Sequence, residues 1–551
     1  MSAGAVETVP EGRDAGRGAS GAGRGALREL GARGWLFWPL AAGVLALGAV
    51  VELRARMTPD VAWYLFAAGR VFDGARVYVD VVDVNPPLVV WLDLPAVALA
   101  RAVGVSELLV FRLAVLALVA ASASLAAWLL RAPLGLARAE RRWWLLALLV
   151  VLGPLLRDDF GQREHLLLAL AVPYLLACAA RADGRRIPAW TAAGIGAMAG
   201  IGMSLKPHFG LLWAALEAWL WLGPGAAERA RPTWRRPEAL AAAAVPLLYG
   251  VAVLLATPRY LDLLRLVGGS YAGYLSNRPL DILVREQGAW LALFGLFAFV
   301  GLQAACSGRE RAVARALAVS TAALLVAALL QRKGWRYHLY PAFGGALLLI
   351  ATLLLGRRGR AVSLGERVYA LAAALVLAGV ALATGVAATR QALDPRARRY
   401  EPYPEFPELL ALARERARGG HVAVFSNNLR AAFPLVSYAG VGWPLRVNAL
   451  WIFGGAYAEF LTRPGPIPYR SRAQMGAAER WLNDAVAADL ARHRPRLVVA
   501  QRPDPADMRN PIRRLDYVGY LRRDPRIAAL LAGYRRLPDV GDYEVWERAA
   551  R

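Results

Sequence analysis

Between residues 35 and 390 one apolar stretch follows another, most of them about 17–25 residues long, the length a helix needs to cross a bilayer. A chain patterned in this way must build its core from membrane helices. Composition agrees: 57% of the 551 residues are hydrophobic and mean hydropathy is +0.37, too apolar for an ordinary soluble protein. Spans are expected at about 35–54, 107–130, 143–156, 165–181, 188–204, 209–222, 238–256, 289–306, 312–330, 340–356 and 367–389. The expected fold class is therefore a polytopic α-helical membrane protein with about 11 transmembrane helices.

The formal net charge is +25, carried mostly by arginine in short loops between spans. Arg131, Arg138, Arg141 and Arg142 share one loop, and Arg181, Arg185 and Arg186 share the next. The pattern repeats at Arg229–Arg236, Arg309–Arg311 and Arg357–Arg367. Every second loop is arginine-rich, which marks it as cytoplasmic and accounts for the charge through topology and anionic lipid, without nucleic acid. The loops between, 55–106, 157–164, 205–208, 257–288 and 331–339, then face outward. This scheme requires residues 86–105 not to cross. Asp93 and Pro95 interrupt them, so they are read as a second surface or re-entrant helix.

Residues 1–34, rich in Gly, Ala and Arg, read as a disordered basic cytoplasmic tail, and 35–390 as the transmembrane domain. After residue 390 charges and prolines increase. HVAVF (421–425), RLVVA (496–500) and YEVWE (543–547) read as strands, with helical patterns near 406–418, 476–492 and 525–534. The segment 391–551 is thus expected to be a soluble, extracytoplasmic α/β domain. Cys178 and Cys306 fall inside predicted spans and form neither a disulfide framework nor a metal site.

Candidate chemistry gathers in the outward loops. Thr58, Pro59 and Asp60 make a helix start: a hydroxyl cap, a proline and an acid in the first turn. The helix they open runs to Gly74 and is too short to cross, so it is expected on the surface with Trp63 and Tyr64 at the headgroups. The helix dipole favours an ionised Asp60, which could accept a proton from an attacking hydroxyl; equally, it could be a simple helix-start acid. Asp80 and Asp83 follow in the same loop. Glu164 opens a later span beside Asp159 and His165, as a substrate contact or an interfacial cap. The only two lysines, Lys206 and Lys333, stand in outward loops against the topological bias, with His208, Arg336, Tyr337 and His338 nearby. They could neutralise a phosphate or snorkel as anchors. No Walker loop, zinc spacing or GxSxG elbow occurs in a fitting context.

Taken together, Asp60, the Pro86-Pro87-Leu88 surface helix, Glu164, the Lys206 turn and the segment from Tyr337 to Pro341 resemble the GT-C superfamily of membrane glycosyltransferases, with protein O-mannosyltransferases and lipid A aminoarabinose transferases as the nearest relatives. The resemblance covers roughly residues 35–390. It implies Asp60 as catalytic base and Glu164 as a catalytic acid that helps to bind substrate. Lys206, Lys333 and Arg336 would then contact the donor phosphate. Asp83, Asp159, His165, His208, Tyr337 and His338 are further substrate-binding candidates. The implied reaction is inverting transfer of a sugar from a polyprenyl-phosphate donor to a lipid, glycan or protein acceptor. It would take place at the outer face of the cytoplasmic membrane, with no cofactor and no metal. Two rival classes are a transporter or flippase of lipid-linked sugar and a non-catalytic envelope assembly protein.

Overall fold

The computed structural model describes residues 37–222, 232–274, 276–284, 295, 310–355, 364–393, 403–508 and 510–549, a few side chains within them excepted. The basic tail, Cys306 and, Gly295 aside, the span expected at 289–306 lie outside the described residues.

The chain begins with α1 (Phe37–Arg54), α2 (Pro59–Phe72) and α3 (Leu88–Val103). Next come α4 (Glu107–Arg131), α5 (Arg138–Leu152), α6 (Arg163–Ala182), α7 (Ala189–Ser204) and α8 (Leu211–Leu222). The helical part ends with α9 (Pro237–Ala256), α10 (Arg259–Gly273), α11 (Pro279–Val284), α12 (Glu310–Leu330), α13 (Arg336–Leu355) and α14 (Leu364–Leu393). Among the described residues seven helices are long and apolar enough to cross a membrane: α1, α4, α6, α9, α13, and the greater parts of α12 and α14. The protein is thus a multi-pass membrane protein. The other expected spans, α5, α7 and α8, are helices of 15, 16 and 12 residues. They are shorter than the roughly 20 residues of a straight crossing.

The helix α6 is the centre of the bundle, with every residue buried. The helices α9 and α14 lie outside, with Leu247, Leu248, Leu255, Leu371, Leu375 and Leu382 exposed, as a lipid-facing surface requires. The helices α7 and α9 pack closely. A Cβ on Gly196 would stand 2.0 Å from the Glu238 carbonyl oxygen, and one on Gly200 2.7 Å from Val245 Cβ. Two glycines four apart let the backbones meet.

At the C-terminal end of α6, Arg181 pairs with Glu238 at 2.8 Å, and Arg236 joins Glu238 to Glu217. Tyr174 and Thr233 donate to Glu217 at 2.9 and 2.7 Å. The acid inside α8 is therefore neutralised and fully partnered.

Residues 403–549 fold around a four-stranded sheet of order β1-β2-β4-β3, formed by Val422–Phe425, Leu497–Gln501, Tyr543–Arg548 and Tyr534–Arg536. The first pair is parallel and the other two antiparallel. The helices α15 (Phe406–Arg416), α16 (Trp451–Ala456) and α17 (Ala477–His493) belong to this part. It sits on α2 and α10, where a Cβ on Gly455 would lie 2.1 Å from the Ser270 carbonyl oxygen. That placement corrects the expectation for α2. Trp63 and Tyr64 are buried, with Trp63 packed edge-on against Phe433 at 5.3 Å, because the C-terminal part covers the face expected to meet headgroups. Thr58 stands at the N-cap, but its hydroxyl makes no cap bond and instead accepts from Gln162 at 3.3 Å. The helix stops at Phe72, and Gly74, just beyond it, turns the chain at φ +92°.

Candidate active site

The N-terminal end of α6 gathers most of the candidate residues. Gly161 turns the chain at φ +77°, and its N–H donates to His165 Nδ1 at 3.1 Å. His165 Nε2 bonds the Leu152 carbonyl at 3.1 Å. Both ring nitrogens are thus committed to the backbone. His165 fixes the turn that aims Arg163 and Glu164.

Glu164 is in the first turn of α6, where the helix dipole favours its charge. Lys206 Nζ lies 2.6 Å from Glu164 Oε1 and donates to Gln331 Oε1 at 2.8 Å. His338 Nε2 stands 3.7 Å from the same carboxylate oxygen. Arg163, one residue back, places Nη2 3.7 Å from Asp60 Oδ2 and its guanidinium 5.1 Å from the centre of the Tyr64 ring. Lys206 also faces the ring of Tyr337 at 5.7 Å. The base candidate on α2, the acid and arginine on α6, the lysine after α7 and the first turn of α13 therefore meet in one buried cluster.

Several polar atoms in that cluster have no hydrogen-bond partner among the described residues. They are Asp60 Oδ2, Arg163 Nε and Nη1, Glu164 Oε2, His208 Nε2, and both ring nitrogens of His338. Buried polar atoms are rarely left unpaired, so the group has the character of a binding site for a polar ligand. Burial pushes Lys206 down to about 8, although the charge of Glu164 holds it up. His208 is pushed down to about 3 by burial and by the charges of Lys206 and Arg163, so it is neutral at pH 7.

The remaining candidates flank the cluster. Lys333 donates to the carbonyls of Tyr271, at 2.8 Å, and Tyr274, and lies 4.5 Å from the centre of the Tyr271 ring. Burial and neighbouring Arg332 push it down to about 8. The two lysines thus hold different partners. Arg336 pairs with Asp159 at 3.1 Å at a more exposed position. Asp83 is buried and accepts from the Trp63 indole at 2.7 Å, from Asn85 and from Asn448. Burial raises its pKa against those donors. The residue not singled out from sequence is Arg163. An arginine at the mouth of a span looks like a topology signal, and only its burial at 4% exposure beside Asp60 marks it otherwise.

No protein-family model and no curated protein matches the sequence. Solved structures do match the fold. The crystal structure of ArnT from Cupriavidus metallidurans, bound to undecaprenyl phosphate, aligns with a TM-score of 0.55 at 14% identity, over 94% of this chain and 98% of that one. The cryo-EM structure of the arabinofuranosyltransferase AftD from Mycobacteria gives a TM-score of 0.46 at 17% identity, over 94% of this chain and 40% of AftD. The fold is shared with ArnT along nearly the whole of both chains.

Proposed function

We propose that this protein is an inverting membrane glycosyltransferase that moves a sugar from a polyprenyl-phosphate donor to an acceptor hydroxyl at the outer face of the cytoplasmic membrane. The observation that carries this reading is the buried cluster in which Asp60 faces Arg163 beside the Lys206–Glu164 pair, with unpartnered polar atoms among them. The shared fold with an ArnT that binds undecaprenyl phosphate supports the lipid-phosphate class of donor.

In this reading the prenyl tail stays in lipid and the phosphosugar enters the cluster. Asp60 takes the proton of the acceptor hydroxyl, whose oxygen attacks the anomeric carbon in line. The bond from that carbon to the phosphate oxygen breaks, and the electron pair leaves with the polyprenyl phosphate. Arg163 and Lys206 face the charge that grows on the phosphate, in a site dry enough for it to matter. With two buried cations for the leaving group, the reaction needs no metal ion. Glu164 orients Lys206, while Tyr337, His208 and His338 line the space beside it. Lys333 and Arg336 support the rim. The acceptor is a lipid, a glycan or a protein.

A transporter usually carries a free charge or polar group within the membrane, and Glu217 is the main acid inside a predicted span. Glu217 is already ion-paired to Arg236, so it offers no free charge for a moving substrate. Purified protein in bilayers, given a radiolabelled polyprenyl-phosphate sugar and candidate acceptors, tests the assignment. Donor should be consumed and labelled product should appear. Movement of intact donor across the bilayer without product would make it a transporter, and neither outcome would leave a scaffold.

A further inference from the structure

The C-terminal part reaches into the first loop through residues 446–448. Val447 bridges to Val82, whose N–H donates to the Arg446 carbonyl at 2.7 Å. Arg446 is itself fixed by Asp489 of α17, 2.7 Å from Nη2 to Oδ1. The next residue, Asn448, is buried and uses both ends of its amide. Its Nδ2 donates to Asp83 Oδ2 at 3.2 Å, and its Oδ1 accepts from the indole N–H of Trp451 at 3.2 Å.

Each partner leads to one side of the cluster. The Asp83 carboxylate also accepts from the Trp63 indole at 2.7 Å. Trp63 is three residues beyond Asp60 on α2, a little under one turn. On the other side the Trp451 ring meets the Tyr271 ring edge-on at 5.5 Å. Tyr271 in turn holds the Lys333 ammonium with its carbonyl at 2.8 Å and with its ring. One amide therefore lies between the helix that bears Asp60 and the aromatic residue that holds Lys333. Alanine would remove both bonds, leaving a buried indole N–H without an acceptor. Aspartate would set a second carboxylate against Asp83.

The geometry points to Asn448 as a positioning residue that fixes Asp60 and Lys333 relative to each other, so that the C-terminal part completes the site it covers. The inference rests on the glycosyltransferase reading for its kinetic consequence, though not for its structural one. Lys206 and Lys333 are the only lysines in the chain, so amine labelling read by mass spectrometry reports each of them separately. In the full-length Asn448→Ala protein in bilayers, Lys333 labelling should rise while Lys206, held by Glu164 and Gln331, stays as in the wild type. Turnover per folded molecule should fall about 10-fold or more with the KM for donor unchanged, since small displacements of a reacting group are expensive. Trp451→Phe keeps the ring and removes only the indole N–H, and should shift both readouts in the same direction by less.

Wild-type Lys333 labelling in both variants overturns the inference. So does a parallel rise at both lysines, which would report general loosening, and so does raised Lys333 labelling with unchanged turnover. If the wild-type protein transfers no sugar from any polyprenyl-phosphate donor, the functional reading falls. Labelling then still decides whether Asn448 holds Lys333.

Discussion

Asp60 sits at a helix start in a cluster of buried ions, with Arg163 Nη2 3.7 Å from its carboxylate. Asp60→Asn keeps the shape and removes the proton acceptor, so transfer should be abolished in protein that still folds and inserts. Near-normal turnover by well-folded Asp60→Asn protein would end its role as base. Lys206 makes the sharper pH prediction. It titrates at about 8 in the folded chain against an ordinary 10.5. Between those values the unfolded chain keeps the proton that the folded chain has lost, so this group adds stability as pH rises through the window. Transfer should move the opposite way and fall as pH climbs through about 8. Lys333 titrates at about 8 as well, so the two must be separated by variants. Lys206→Met should lower turnover about 10²-fold and flatten the alkaline limb, whereas Lys333→Met should retain that limb. A limb that survives Lys206→Met would remove Lys206 from the chemistry. Asp60, Glu164, Lys206, Tyr337 and His338 were legible in the sequence because charge alternation put their loops on one side. Arg163 was not, nor was the hold of His165 on the turn before α6. Successive helical residues diverge by about 100°, and only the packed structure shows which of the two faces the cluster.

At the scale of elements, apolar periodicity located the helices well, and β-rich runs located strands at Val422–Phe425 and Leu497–Gln501. The strand Tyr534–Arg536 was missed because YRR is short and polar, and it is held only by its ladder to Tyr543–Arg548. The crossings expected at α5, α7 and α8 fall on helices of 15, 16 and 12 residues, whose apolarity serves burial against neighbours as well as contact with lipid. The surroundings of α2 were also hidden. A half-apolar helix reads the same whether lipid or a folded roof covers it. The pair α7 and α9 offers a test at this scale. Gly196→Leu would drive a side chain into the Glu238 backbone, where the carbonyl oxygen cannot swing away. Overpacking of this kind costs about 1–3 kcal/mol and more where backbone must move. Gly194, with nothing within 4 Å of its Cβ position, is the matched control. Thermal unfolding in detergent should show a large loss for Gly196→Leu and little for Gly194→Leu. Equal losses would mean that the helices are not in close contact there.

Across the whole molecule, α6 joins two polar ends. Glu164 and Arg181 are 17 residues apart, about 26 Å along a helix. One end carries the candidate site under the C-terminal part; the other carries Arg181 and Arg236, from the arginine-rich loops. The positive-inside bias predicts that the C-terminal part lies outside the cytoplasm. A reporter active only in the cytoplasm, fused after Arg551, should be silent, and strong activity would invert the orientation. The charge alternation is the sequence feature from which this orientation is expected. The contact between the two halves was not readable, since nothing in DVVDVNPP announces a partner at RVNAL.

That contact also sets a timetable. Asp83 and Asn448 are separated by 365 residues. At about 5–20 residues per second, a ribosome needs roughly 20–70 s to make the intervening chain. Throughout that interval α2 has already emerged, with its buried face still lacking the partners that will cover it. A nascent chain released early therefore carries every membrane residue of the cluster and yet lacks the residues that fasten it.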